Sequence, residues 1–330
     1  MTIGNPARLA AAQRLVARFK EAGRPGAVGK PPKKPSPKHL QALQRSPQRW
    51  PVTRDALVAQ LTARLGGRSQ PSQVGTSYCG PAAFLYCLLE DRPDLYVAYA
   101  ISLWAQGGFD FGSVDVDIDP GTVESLGQIQ AARSASPGKN FISELDWMTM
   151  AGLSASTRPW FVPGEAAGPD DEGKSITYPW VLKRWFAAVG SRPVYDCMGL
   201  GAVKQGLPAF VVTMNRWSRN WLVLQIDSSL LNGGEPNTIR KRHWVVVNPH
   251  HQPRIRRGDG KVVPLGSVGD QFKLKTAPRA GTYLDASHML DWQIEVPIVT
   301  WGVEAHKLGL TTLGALASRF YGAFAFPRLG

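Results

Sequence analysis

The chain has 330 residues, of which 43% are hydrophobic and 19% are charged, and its formal net charge is +13. A chain of this length can bury a full hydrophobic core, as one large domain or two small ones. Its 26 prolines and 34 glycines argue against a simple helical bundle and predict many turns and long connections. Its three cysteines are too few, and odd in number, for a disulfide framework.

The positive charge is concentrated at the N-terminus. Residues 1–68 contain 14 Lys and Arg against two acidic residues, whereas the rest of the chain is close to neutral. We therefore expect a basic, partly disordered N-terminal arm with short helices over 1–69, followed by a folded domain over 70–330. A basic arm can bind nucleic acid or anionic lipid. Because it lacks interleaved aromatic residues and any nucleic-acid-binding motif, the sequence does not favour a nucleic-acid partner.

The chain contains no run of about 18 apolar residues, so we expect no transmembrane segment. Its N-terminus also lacks the basic and then apolar pattern of a secretory signal peptide. We therefore expect synthesis in the cytoplasm without a Sec signal. Export would then need a route that does not read such a peptide.

Apolar residues at helical spacing dominate the first part of the chain. A Pro/Gly/Lys linker at 23–38 follows the first helix, and Pro93 separates two consecutive ones. Thr53 is the expected N-cap of the second helix. The predicted helices cover 5–22, 53–65, 79–90, 94–106, 141–151 and 178–189.

The second part of the chain is rich in β-branched and aromatic residues separated by turn-forming clusters. This composition predicts strands, and a mostly apolar helix is expected to end the chain near 305–322. The predicted strands cover 208–214, 220–226, 243–247 and 292–301. Helices followed by strands favour an α+β fold, in which a helical subdomain packs on an antiparallel β-sheet.

Cys79 is the candidate nucleophile. Cysteine attacks as the thiolate, and a helix N-terminus or a nearby imidazolium lowers the pKa of a thiol. The turn-like residues before Cys79 and the apolar run after it place this cysteine at a helix start. Gly80 permits a tight turn, and Pro81 suits the first helical turn, where its missing N–H costs nothing. We expect Cys87 and Cys197 to be core residues.

Gln73 is the candidate oxyanion donor. Its side-chain amide lies six residues before Cys79, across a tight loop, and can fold back toward the thiol. There it would donate to a developing oxyanion beside the backbone N–H of Cys79.

His243 is the candidate general base. Of the six histidines, it is the one that opens an apolar strand, HWVVV. A polar residue at the head of a buried strand needs a hydrogen-bond partner. The other histidines lie in linkers, turns or polar stretches, and the adjacent pair His250 and His251 is poorly placed to bind one metal ion.

Together these motifs resemble the papain-like cysteine peptidase superfamily. The shared pattern is Gln, five residues, and Cys-Gly at a helix start, followed much later by a His that opens a Val-rich strand. The phrases CGPAAFLY and HWVVV resemble its bacterial branches, which include bacteriocin-processing peptidases and papain-like toxins or effectors of specialised secretion systems. The phrases DWMTMA (146–151) and VTWG (299–302) are similar to recurring pieces of such effectors. The resemblance covers about 70–302.

The resemblance implies a papain-like fold, in which the catalytic Cys begins a helix packed on the sheet that carries the His. It assigns Cys79 as nucleophile, His243 as general base and acid, and Gln73 as oxyanion donor. The family also orients its imidazole with an Asn or Asp before Ser-Trp-Gly, but Val299 occupies that position here. Asp259 is the preferred substitute, because a turn at 248–252 would bring an antiparallel return opposite His243. Asn248 and a bare Cys–His dyad remain open, although Asn248 lies roughly 16 Å along the strand.

The expected function is therefore that of a papain-like cysteine protease acting on a protein or peptide substrate, with no cofactor or metal. The resemblance implies a bacterial toxin or effector, exported by a system such as type VI secretion, with a cognate immunity protein or secretion-system carrier as partner. Two alternatives remain. One is a peptidoglycan amidase, protein deamidase or transglutaminase using the same residues, and the other is a non-catalytic binding protein on a degenerate scaffold.

The loop 168–175 fits the phosphate-binding pattern G-x-x-x-x-G-K-[ST]. Its acidic residues would repel phosphate, so the sequence does not favour a nucleotide site there.

Overall fold

A computed structural model describes the chain at residues 4–22, 50–118, 120–157, 176–199, 203–232, 242–277, 281–300, 302–307 and 311–329. The chain forms two compact units. Unit 1 comprises 1–190 together with 329–330, and unit 2 comprises 191–328. This division differs from the expected one at 69/70. The predicted linker at 23–38 and the loop at 168–175 lie outside the described residues.

Unit 1 is helical, with one short β-hairpin formed by β1 (Gly108–Asp110) and β2 (Asp115–Asp117). The six helices predicted before residue 190 are present, and Thr53 caps the second of them by accepting from the N–H of Ala56. The helix at 120–135 was not predicted. The helices of unit 1 are α1 (Pro6–Glu21), α2 (Arg54–Leu65), α3 (Cys79–Asp91), α4 (Pro93–Gln106), α5 (Pro120–Ala135), α6 (Glu144–Ser156) and α7 (Pro179–Ala188).

Helix α1 packs within unit 1, although its charge suggested an arm. Its apolar face buries Ala12, Val16 and Phe19. The Arg54 guanidinium lies 4.6 Å from the centre of the Phe19 ring and donates to the Phe19 carbonyl at 2.7 Å. The net charge of a helix is set by its solvent-facing residues, whereas its packing on neighbouring helices depends on its apolar face. The first helix of the expected arm therefore belongs to the folded body.

Helix α3 is the most enclosed helix of the site region, since ten of its 13 residues are buried. At its centre, the Phe84 ring meets the rings of Phe111, Trp185 and Phe186 at 5.3–6.1 Å. The pairs with Phe111 and Phe186 are edge-to-face, and such pairs add about 0.5–1.5 kcal/mol each beyond their buried area. This packing fixes the helix axis and hence the position of its first residue, Cys79.

Unit 2 is built on antiparallel sheets. The largest has six strands in the order β12-β11-β5-β4-β14-β3, a second has the order β13-β10-β6-β7, and β8 and β9 form a hairpin. Its helices are α8 (Leu207–Met214), α9 (Ser229–Asn232) and α10 (Leu313–Ala317). The strands are β3 (Tyr195–Asp196), β4 (Asn220–Asp227), β5 (Arg242–Val247), β6 (Arg254–Arg256), β7 (Val262–Pro264), β8 (Lys273–Ala277), β9 (Gly281–Asp285), β10 (Gln293–Glu295), β11 (Pro297–Thr300), β12 (Val303–Lys307), β13 (Thr311–Thr312) and β14 (Phe320–Pro327).

Three elements of unit 2 differ from the predictions. Residues 208–214, predicted as a strand, form α8, because Pro208 sits at a helix start and the buried residues Leu207, Phe210, Val211 and Met214 recur at helical spacing. The predicted strand at 292–301 is two strands in two different sheets, β10 and β11. The predicted helix at 305–322 is wrong, since β12, β13, a short α10 and part of β14 occupy it. The α+β class is confirmed at the level of helices with antiparallel sheets.

None of the helices in the described part of the chain has the length and apolar character to cross a membrane.

Candidate functional site

Cys79 is the first residue of α3, as the sequence predicts. Its side chain is half-buried and forms no disulfide. Pro81 falls in the first turn, and the turn closes through the Ala82 N–H, which donates to the Tyr78 carbonyl at 2.9 Å. The N-cap residue, Tyr78, makes no side-chain capping hydrogen bond. The thiol therefore sits where the positive end of the helix dipole favours a thiolate.

Gly80 is required by the approach of a second chain segment. A Cβ built on Gly80 would lie 2.3 Å from both Cβ and Oγ1 of Thr177. Thr177 is 4% exposed and immediately precedes Tyr178, the N-cap of α7. The glycine beside Cys79 thus serves the close packing of Thr177 against the helix start.

Gln73 begins a β-turn that leads to Cys79. Its carbonyl accepts from the Thr76 N–H at 2.8 Å and from the Thr76 hydroxyl at 2.7 Å. Gly75 occupies the third position of the turn with φ of 70°, a conformation that glycine adopts without strain. The tight loop expected between Gln73 and Cys79 is therefore present in unit 1.

The Gln73 side chain is buried, with 3% of its surface exposed. Its Oε1 is enclosed and has no hydrogen-bond partner in the described part of the chain. A half-turn of the amide about its last bond exchanges oxygen and nitrogen with little change in shape, and would put the Nε2 donor at that position. Buried polar atoms of this kind are uncommon in native proteins and often mark functional sites.

His243 is the second residue of β5 and is 7% exposed. It lies opposite Ile226 of β4, on the sheet face that carries Val245 and the hydrophobic core of unit 2. Its Nε2 is 2.6 Å from Oγ1 of Thr300 at the end of β11, and Thr300 is 6% exposed. The expected need for a polar partner is thus met by a threonine hydroxyl.

The third site residue is placed differently from the expectation. Asp259 lies in the turn between β6 and β7, in the other sheet, because β5 pairs with β4 and β11. Its carboxylate accepts from the Lys261 N–H at 3.1 Å and lies 3.6 Å from Arg257. The antiparallel return that was to bring Asp259 opposite His243 is therefore not formed.

Asn248 follows the last residue of β5, with its side chain buried. Its Oδ1 accepts from the His250 N–H at 2.8 Å, and its backbone carbonyl accepts from the Trp217 indole at 2.8 Å. Asn248 therefore organises the turn after the strand, at the opposite end of β5 from His243.

Thr300 is the residue that sequence reasoning missed. It is part of the phrase VTWG, one residue after Val299, where the resemblance places the imidazole-orienting residue. Val299 pairs with Val246, so the side chain of Val299 lies on the sheet face opposite to that of His243. Alternation along β11 then puts Thr300 on the same face as His243. Strand parity applied to this phrase would have found it.

The other two cysteines are not at helix starts. Cys87 is completely buried within α3, as expected for a core residue. Cys197 is half-buried, and its sulfur lies 3.7 Å from the Thr213 hydroxyl and 3.6 Å from the Ala323 carbonyl. Burial raises the pKa of the Cys197 thiol, so this cysteine is less reactive than an ordinary exposed one.

Unit 1 thus carries Gln73 and Cys79 on one short segment, and unit 2 carries His243 with Thr300. Within the described ranges, no group of three His, Cys, Asp or Glu side chains is arranged to hold a metal ion. No protein-family model matches the chain, and no curated protein or solved structure matches it.

Proposed function

We propose that this protein is a papain-like cysteine protease, with Cys79 as nucleophile, His243 as general base and acid, and Gln73 as oxyanion donor. The observation that carries the proposal is the Gln73–Cys79 turn. It joins a half-buried thiol at the N-terminus of α3 to a buried amide whose Oε1 has no hydrogen-bond partner among the described residues. The setting we propose is that of a bacterial toxin or effector exported by a specialised secretion system, with an immunity protein as partner.

The proposed reaction begins with transfer of the Cys79 proton to the imidazole and attack of the sulfur on the acyl carbon of a peptide bond. The oxyanion would accept hydrogen bonds from the Gln73 amide and from the backbone N–H of Cys79. The protonated His243 then gives its proton to the leaving amine as the C–N bond breaks. Water, deprotonated by His243, hydrolyses the thioester and releases the acid.

Thr300 takes the orienting role in this proposal. Its hydroxyl holds Nε2 of His243 at 2.6 Å, so Nδ1 is the nitrogen we assign to proton transfer with Cys79. A hydroxyl can donate or accept, and it can therefore stay bonded to either protonation state of the ring.

The function is tested by digestion of a mixed protein lysate and of purified peptidoglycan in parallel. We expect new peptide termini in the lysate with the wild-type protein, and none with Cys79→Ala or His243→Ala. Cys87→Ala is the matched control, because it removes a buried thiol of the same helix. If the lysate stays intact while stem-peptide fragments appear, the protein is an amidase. If Cys79→Ala acts as well as wild type, catalysis by this cysteine is excluded.

The nucleophile assignment is tested without a substrate. Iodoacetamide at neutral pH is expected to label Cys79 well before Cys197 and Cys87, as read by mass spectrometry of the digested protein. Equal rates at the three cysteines would end the assignment of Cys79 as an activated thiol.

A further inference from the structure

We infer that Asp146 and Trp147, at the start of α6, are positioning residues that hold both ends of the segment 72–78 and so place Gln73 and Cys79. This inference rests on the proposed function, which makes that segment the oxyanion loop. It also gives a role to the phrase DWMTMA, to which the proposed chemistry assigns none.

Asp146 holds the first end of the segment. Its carboxylate accepts a hydrogen bond from the backbone of Ser72, the residue before Gln73. The same carboxylate accepts from the Ser143 hydroxyl at 2.8 Å, while the Ser143 oxygen caps α6 by accepting the Asp146 N–H. Asp146 is only 3% exposed, so these bonds are made away from solvent. A buried side chain fixed to a helix cap is a rigid anchor for a loop.

Arg64 holds Asp146 in turn. Its Nη2 donates to the Asp146 carboxylate at 2.7 Å, and the two side chains are 2% and 4% exposed. The remaining guanidinium nitrogens of Arg64, Nε and Nη1, are buried without a hydrogen-bond partner among the described residues. A buried ion pair so incompletely satisfied is weak evidence for a stabilising role, because desolvation consumes much of the attraction. The pair is better explained by the hydrogen bond that the Asp146 carboxylate accepts from the Ser72 backbone.

Trp147 holds the second end. The Tyr78 ring, directly before Cys79, packs edge-to-face on the Trp147 ring at 5.6 Å, and both residues are buried. The indole is fixed in its own position because its N–H donates to the Thr122 carbonyl at 3.1 Å. Two consecutive residues of α6, Asp146 and Trp147, therefore contact the chain just before Gln73 and just before Cys79.

Thr177 supports the same turn from the other side, through its contact with Gly80. Displacement of a catalytic group by about 1 Å can cost on the order of 100-fold in rate. A loop held at Ser72, Tyr78 and Gly80 resists such displacement. The geometry accounts for the buried polar and aromatic residues around a loop that would otherwise pay a large entropic cost to be ordered.

The test replaces the ion pair and keeps the fold. Asp146→Asn alone would leave the Arg64 charge buried and uncompensated, with a loss of stability that obscures the result. The double variant Arg64→Met/Asp146→Leu removes both charges at similar volume. We expect it to stay folded, with faster hydrogen exchange at the Ser72 amide. The kcat for hydrolysis should fall about tenfold to 100-fold, with little change in KM. Trp147→Phe, which keeps a ring, should lose less than Trp147→Leu.

The matched control is Arg133→Met/Glu144→Leu, which removes another ion pair at the start of α6 that does not contact the segment. It should keep the wild-type Ser72 exchange and kcat. Unchanged Ser72 exchange in Arg64→Met/Asp146→Leu would overturn the inference. So would faster exchange with unchanged kcat and an unchanged Cys79 labelling rate. Failure of the proposed function appears separately, as activity that survives Cys79→Ala, while Ser72 exchange still reports the anchor.

Discussion

Gly80→Ala should destabilise unit 1 although alanine is the better helix former. The new Cβ would lie 2.3 Å from Cβ and Oγ1 of Thr177 and 2.6 Å from its Cγ2. Carbon atoms in contact prefer separations of about 3.5–4.0 Å, so the overlap exceeds about 1 Å. Thr177 is β-branched and 4% exposed, and therefore cannot swing aside into solvent.

The magnitude follows from two opposing effects. Overpacking of this kind lowers the free energy of unfolding by about 1–3 kcal/mol. Replacing a helical glycine by alanine raises it by about 0.5–1 kcal/mol. We expect a net loss of about 1–2 kcal/mol. In a unit the size of unit 1 this corresponds to a fall in Tm of about 2–8 °C. Because the helix start must shift, the labelling rate of Cys79 should change as well.

The assay is thermal unfolding followed by circular dichroism, with Cys79 labelling measured on the same samples. Gly127→Ala in α5 is the control, since a Cβ there meets no atom within 4 Å. That change should stabilise the helix by up to about 1 kcal/mol. In a Thr177→Gly background, Gly80→Ala should lose most of its effect. A Tm of Gly80→Ala equal to or above wild type would refute the packing argument.

Four further outcomes are expected. Thr300→Val should lower kcat about tenfold or more, since each 1.4 kcal/mol of lost orientation of His243 is tenfold, whereas Thr300→Ser should stay near wild type. Asp259→Ala should keep wild-type hydrolysis within about twofold, because this exposed residue makes its contacts with Arg257 and Lys261, within the turn between β6 and β7. Burial raises the pKa of Tyr96 to about 12. Between pH 10 and 12 the phenol therefore ionises in the unfolded chain but not in the folded one, so the free energy of unfolding measured in urea should fall as pH rises. Tyr96→Phe should make this fall with pH smaller. With His243→Cys, mild oxidation should form a disulfide with Cys79 if the two side chains meet as the mechanism requires, and a protein that keeps both thiols free would count against it.

The helices of unit 1 could be predicted because their determinants are local. Thr53 before an apolar-periodic run and Gly80-Pro81 after Cys79 mark helix starts in a few adjacent residues. The start of α3 at Cys79 and the turn from Gln73 were both available from this signal. The anchors of that turn were not, because Arg64 and Asp146 are separated by 82 residues. Nothing in either local sequence requires them to pair.

The elements of unit 2 depended on contacts that a local pattern does not contain. Residues 208–214 have the β-branched composition of a strand, but Pro208 starts a helix, and one face of that helix, with Phe210, Val211 and Met214, is buried in the core of unit 2. Residues 320–327 are apolar at every position because β14 is an interior strand between β4 and β3, buried on both faces. Such a run does not distinguish a buried strand from a buried helix. The Asp259 expectation failed for a related reason, since it assumed which strand follows β5 in the sheet.

The two ends of unit 2 lie side by side. Near its start, the Ser191 hydroxyl donates to the carbonyl of Pro327, the last residue of β14, at 2.7 Å. After that strand, Leu329 returns to unit 1, where its N–H donates to the Asp91 carboxylate at 2.7 Å. Unit 2 is thus an insertion in the chain of unit 1, which resumes at Leu329. A proteolytic nick between β4 and β14 would leave the C-terminal fragment held in the sheet of unit 2, because β14 pairs with β3 and β4. An insertion whose two ends are adjacent can be exchanged or permuted as a block. His243 and its surroundings can therefore be varied without changing the helix that begins at Cys79.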